Sequence, residues 1–130
     1  MFNSNKVKSL LAVAAVSLTG AMTAQTASAA SLAETEVTIE GTGGDYFGYV
    51  KSSDGTNCES DRKVSVFKML GSSPNRSVDL KIGSDTASPN GPDAMWSIGN
   101  SGYKKGKFYA RVGKTAYCSG DTSPVIKGTP

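Results

Sequence analysis

The stretch SVDLKIGSDT, Ser77 to Thr86, carries the cleanest alternation in the chain: Val78, Leu80 and Ile82 on one side, Asp79 and Lys81 on the other. A period of two is the mark of a strand, whose successive side chains point to opposite faces. Outward from it the same pattern recurs. TEVTIEG sets Val37 and Ile39 against Thr38 and Glu40, and DYFGYVKS sets Tyr46, Gly48 and Val50 against Phe47, Tyr49 and Lys51. RKVSVFKML sets Val64, Val66 and Lys68 against Ser65, Phe67 and Met69; GKFYARVGK sets Phe108, Ala110 and Val112 against Lys107, Tyr109 and Arg111. AMWSIGN offers Trp96 and Ile98, and SPVI closes the series. No window past the N-terminal region has the i, i+3, i+4, i+7 spacing of an amphipathic helix, and Gly and Pro punctuate the runs. The expectation is an all-β domain, a single antiparallel β-sandwich of about seven strands.

That domain spans residues 31–130. Before it, Lys6 and Lys8, the apolar run Leu10–Met22 and the Ala27-Ser28-Ala29 cleavage pattern predict a signal peptide over 1–30. The apolar run falls well short of the roughly 20 residues that span a bilayer. The mature chain is expected to be secreted and extracellular, with no membrane association after cleavage. Two of the 14 Lys and Arg lie in the leader and all 11 Asp and Glu lie beyond it, leaving 12 against 11 and a net charge of +1. That removes the composition argument for nucleic acid. Cys58 and Cys118 are an even pair in an exported chain and predict a disulfide. Closing a loop of about 60 residues is worth on the order of 4 kcal/mol in the chain-entropy account.

The chemistry open to the chain is narrow. It has no histidine, which removes Ser-His-Asp and Cys-His catalysis and histidine-ligated zinc. Two loops are oxygen-rich: Asp85, Asn90 and Asp93 in one, Asp54, Asn57, Glu59 and Asp61 in the other. Neither has calcium-loop spacing with a closing bidentate Glu, so no metal site and no cofactor are expected. Pro89, Asn90, Gly91 and Pro92 are turn formers, and the loop is expected to be a hairpin connection between SVDLKIGSDT and AMWSIGN. Lys104, Lys105, Lys107 and Arg111, interleaved with Tyr103 and Tyr109, form a candidate anionic-ligand surface; the plainer reading is a solvated hairpin tip. Trp96 is expected in the core rather than on a sugar-binding platform. Asn75-Arg76-Ser77 matches a glycosylation sequon, which matters only in a eukaryotic secretory route.

The segments YFGYVKSSDGTNCESDRKVSVFKM, IGSDTASPNG and GKFYARVGKTAYCSGDTSP, taken in order, resemble the prealbumin-like (transthyretin-like) sandwiches, including carboxypeptidase regulatory-like domains. The likeness lies in Gly48 and Val50, Val64 and Val66, Ser84-Asp85 with Gly91, and Gly106, Phe108, Ala110 and Val112, and covers about Thr35 to Ile126. It is most similar to small secreted proteins of this type from actinobacteria. The resemblance implies a prealbumin- or immunoglobulin-like sandwich and a non-catalytic module, and no functional residue carries over. The function expected is extracellular binding or a structural role, as a monomer, toward an unidentified protein or polysaccharide. A polysaccharide-binding module or a secreted hydrolase inhibitor are the alternatives, with a small carboxylate-based hydrolase behind them.

Overall fold

A computed structural model describes residues 31–130; the expected signal peptide, 1–30, lies outside the described residues. Among the described residues there is no helix, and ten strands form two antiparallel sheets that pack together. The strands are β1 (Thr35–Val37), β2 (Glu40–Thr42), β3 (Asp45–Ser52), β4 (Lys63–Lys68) and β5 (Leu80–Thr86), then β6 (Ser88–Asn90), β7 (Asp93–Ile98), β8 (Gly106–Val112), β9 (Asp121–Thr122) and β10 (Ile126–Gly128). The first sheet runs β1-β3-β7-β6 with β2 also on β3; the second runs β9-β8-β4-β5 with β10 also on β8.

β1 and β2 lie end to end along one edge of β3, against Val50–Ser52 and Asp45–Phe47. β9 and β10 do the same along β8. Each pair is one edge strand with an interruption. The first interruption has a visible cause at Gly48. The Thr38 carbonyl turns inward there and accepts a hydrogen bond from Trp96 Nε1 at 3.1 Å. A Cβ on Gly48 would stand 2.0 Å from that oxygen. Only glycine leaves room for it. Thr38 keeps the ladder satisfied meanwhile, donating its N–H to the Tyr49 carbonyl at 3.0 Å. Its Oγ1 accepts the Tyr49 N–H at 2.8 Å, so both backbone groups have partners.

The core lies between the sheets. Val37, Tyr46, Val50, Val64, Val66, Trp96, Phe108, Ala110 and Val112 are each at most 1% exposed, the inward faces expected from alternation. The Tyr46 and Phe108 rings meet at 4.7 Å, and the Tyr46 hydroxyl escapes to the Tyr103 carbonyl at 2.9 Å.

Two expectations are corrected. The stretch with the cleanest alternation does not bury its apolar side: Val78 is 59% exposed, Leu80 39%, and Ile82 is only half-buried. Ser77 and Val78 belong to a turn, because Asn75 Oδ1 accepts the Ser77 N–H (3.0 Å) and the Asn75 carbonyl accepts those of Val78 (3.0 Å) and Asp79 (2.9 Å). Within β5 a bulge opposite Val66 and Phe67 leaves Ile82 unpaired and shifts the phase of the strand. The Pro-rich loop is also not a hairpin between β5 and β7. The chain leaves β5, crosses to the other sheet at buried Ala87 and forms the short β6. β6 then pairs with β7 through a two-residue turn, Gly91-Pro92, with Gly91 at φ 66°. Such tight turns favour glycine where φ is positive. The turn chemistry was legible; the strand it serves was not.

Candidate functional site

β4 and β8 are neighbours in register, Val64 opposite Val112, so the β3–β4 and β8–β9 loops emerge at one end of the molecule. Cys58 on the first and Cys118 on the second are bonded, with Cα atoms 5.6 Å apart. That separation is ordinary for a disulfide. Beside the bond lies Arg62, only 4% exposed. Its Nη1 donates to the Cys58 carbonyl (2.9 Å) and Thr35 Oγ1 (3.1 Å), and its Nη2 donates to the carbonyls of Gly113 (2.7 Å) and Ser119 (2.9 Å). Burial lowers the guanidinium pKa from its usual value, and four oxygen acceptors offset the loss of water.

Gly113 and Ser119 are the stems of the second loop, so one side chain holds both. Further ties fix the loop from below. Ala33 donates to the Tyr117 carbonyl (2.9 Å), Ser119 donates to that of Ala33 (2.8 Å), and Thr115 donates to that of Cys118 (2.9 Å). Lys114, Thr115, Ala116 and Tyr117 project into solvent, Tyr117 being 71% exposed. The first loop is ordered by its own oxygens. Glu59 Oε2 accepts the Ser52 N–H at 2.9 Å. Asp54 accepts from Asn57 Nδ2 (2.9 Å) and N–H (3.2 Å), bonds that lower its carboxyl pKa. The other oxygen-rich loop also has structural partners: Asp85 Oδ2 caps the Ser97 N–H at 2.8 Å, and Asn90 Nδ2 reaches Met95 Sδ.

The candidate surface of Lys104, Lys105, Lys107, Tyr109 and Arg111 is not brought together. Lys104 and Lys105 sit in the β7–β8 loop at the opposite end, and Lys107 and Arg111 lie on the outer face of the second sheet. Tyr109 is buried there: its ring stacks on Phe67 at 5.4 Å and its hydroxyl donates to Asp79 Oδ2 at 2.5 Å. Tyr109 therefore cannot contact a ligand directly. Asp79 also accepts the N–H groups of Leu70 (2.9 Å) and Asn75 (2.7 Å). Arg111 instead lines a hollow of about 240 Å³ with Lys63, Ser65, Phe67, Arg76 and Gly113. A second hollow, along β1 and β3, is lined by Glu34, Glu36, Lys51 and three Ser and Thr; Glu36 lies directly across from Lys51.

Sequence reasoning missed Arg62 and gave Glu59 and Asp79 no structural role, because each is a charged residue type whose default place is the surface. The available signals were positional: Glu59 adjoins a half-cystine, and Arg62 opens a strand next to that loop. The chain matches no family model, no curated protein and no solved structure.

Proposed function

We propose that this protein is a secreted, non-catalytic β-sandwich of immunoglobulin type that binds another extracellular protein through the loop Lys114–Tyr117. The strand order supports the fold type. Taking β1 with β2 as the first strand and β9 with β10 as the last, and leaving β5 out of the count, strands one, two, five and four share a sheet in the order β1/β2-β3-β7-β6. The other sheet is built from β4, β8 and the last strand, with β5 as an added edge, as in immunoglobulin-type sandwiches. Its Trp and disulfide depart from that pattern: Trp96 is on β7, and the bond joins two end loops rather than the two sheets. The prealbumin-like resemblance rests on the Gly and Val positions named above.

The observation that carries the functional reading is the restraint on the loop. Its stems are held by Arg62 and a disulfide while its tip, with an aromatic side chain, stays in water. A loop already fixed in one shape loses little entropy on binding, and exposed Tyr is a common anchor of interfaces. The specific form favoured is inhibition of a secreted hydrolase, the loop filling its cleft. A polysaccharide platform of Trp96 and Tyr49 loses its main side chain to the core.

The test is capture from culture medium and cell wall by immobilised protein, followed by assay of the captured partner for hydrolysis with and without the protein. A partner held by the wild type and by Lys51→Ala, but released by Tyr117→Ala with unchanged thermal midpoint, sustains the reading. A partner held equally by Tyr117→Ala overturns it.

A further inference from the structure

We infer that the outer face of the second sheet is a binding site for an oxyanion, a phosphate or sulfate group carried on an extracellular polymer. This does not depend on the loop reading above. The argument begins with register. Val64, Val66, Ala110 and Val112 face inward, so their neighbours Lys63, Ser65, Phe67, Lys107, Tyr109 and Arg111 face outward. Lys127 pairs with Lys107 and Lys81 with Phe67, which places both on that same face. Arg76 reaches it from the β4–β5 loop. Half of the 12 Lys and Arg beyond residue 30 thus lie on one face. The carboxylate there, Asp79, is engaged by Tyr109 and two backbone N–H groups. The outer face of the first sheet has the opposite balance: Glu36, Glu40 and Asp45 with Lys51.

Such a face is unfavourable by itself. Lys107 and Lys127 stand directly opposite each other, and like charges in that relation destabilise a sheet. No hydrogen bond joins Lys63, Arg76 or Arg111 to a carboxylate among the described residues, although a net charge near neutral leaves acids available elsewhere. An external anion relieves the repulsion. The three converge on the hollow of about 240 Å³, where Ser65, directly across from Arg111, adds a hydroxyl and Phe67 an apolar floor. That volume is below the roughly 300–1,000 Å³ of sites that enclose a whole small molecule. It suits one tetrahedral oxyanion with part of the unit that bears it. Two guanidinium groups offer the planar forks that pair with phosphate and sulfate oxygens, and Lys63 adds a point charge. Lys81, Lys107 and Lys127, outside the hollow, extend the positive field along the sheet, where further groups of a polymer would lie.

The experiment is an amide-resolved NMR titration of the disulfide-bonded protein with inorganic phosphate and with sulfate at constant ionic strength. Linear polyphosphate and a sulfated polysaccharide follow as polymer arms. The expected result is saturable shifts at residues 63–67, 76 and 111–113, with one polymer binding more tightly than the free ion and so naming the source. Arg111→Gln and Arg76→Gln should each weaken binding by about tenfold or more, while Lys51→Gln, on the opposite face, stays within about twofold. Thermal midpoints of the variants establish that they are folded. No saturable shift with either ion, or equal losses in Lys51→Gln and Arg111→Gln, overturns the proposal, the second by showing charge attraction without a site.

Discussion

Asp79 and Tyr109 shift each other's titration in opposite directions through one hydrogen bond. The Tyr109 hydroxyl, then the Asn75 and Leu70 N–H groups, hold the Asp79 carboxyl below its ordinary 3.8. Burial first, and the same hydrogen bond second, push Tyr109 up to about 12 from 10.0. The depressed acid adds stability that is complete above the unfolded value near 3.8 and is lost as pH falls through the folded one. The raised phenol adds stability that is complete below pH 10 and is lost as pH rises toward about 12. Tyr109→Phe keeps the ring and removes the bond. In that variant both outer slopes of a stability–pH profile, measured by urea unfolding, should flatten; a profile parallel to wild type would show that the pair contributes nothing. A second residue-scale prediction concerns Gly48. Gly48→Ala drives a methyl group against the Thr38 carbonyl. It should lose about 3 kcal/mol or more in chemical unfolding. The Trp96 emission should change as the indole loses its acceptor.

At the level of elements, the two loops at the disulfide end behave as one unit because Arg62 and the bond join the same segments. Arg62→Lys retains the charge but cannot reach the four acceptors. Two or more buried oxygens are left unpaired, at about 1–3 kcal/mol each. Replacing both cysteines by Ser should cost on the order of 2–5 kcal/mol. The two effects should fall short of additive, since each loosens the same loops, and a double-mutant cycle measures the shortfall. Strict additivity would mean that the guanidinium and the disulfide restrain the loops independently. Strand β5 gives the complementary lesson. The stretch leading into it, with Val78, Leu80 and Ile82, alternates more cleanly than any other segment, yet β5 is an edge strand and Ser77 and Val78 before it belong to a turn set by Asn75. A periodic pattern says that a segment can be half-buried; whether a second sheet lies above it depends on the other strands.

For the whole molecule, charge is the property that composition hides. A net charge of +1 beyond residue 30 implies weak retention on a cation exchanger, whereas a face holding six cations implies retention at pH 7 that Arg111→Gln reduces more than Lys51→Gln does. Equal reductions would show that the charges act only through their sum. Intact-mass measurement of exported protein should find the chain beginning at Ala30 or Ser31; a mass that includes Met1 would remove the case for cleavage. The sequence by itself determined the all-β class, the inward residues of β3, β4 and β8, the burial of Trp96 and the partnership of Cys58 with Cys118. The first three follow from period-two burial, which is written in local spacing, and the last from an even count of two cysteines in a chain read as exported. Only the tertiary structure decided that β5 crosses into β6 at Ala87, that Arg62 reaches four acceptors, and that Lys63, Arg76 and Arg111 line one hollow. Those contacts join residues far apart in the chain, and they exist because strand order and a single bulge set which faces meet. Neither leaves a mark in the spacing of neighbouring residues.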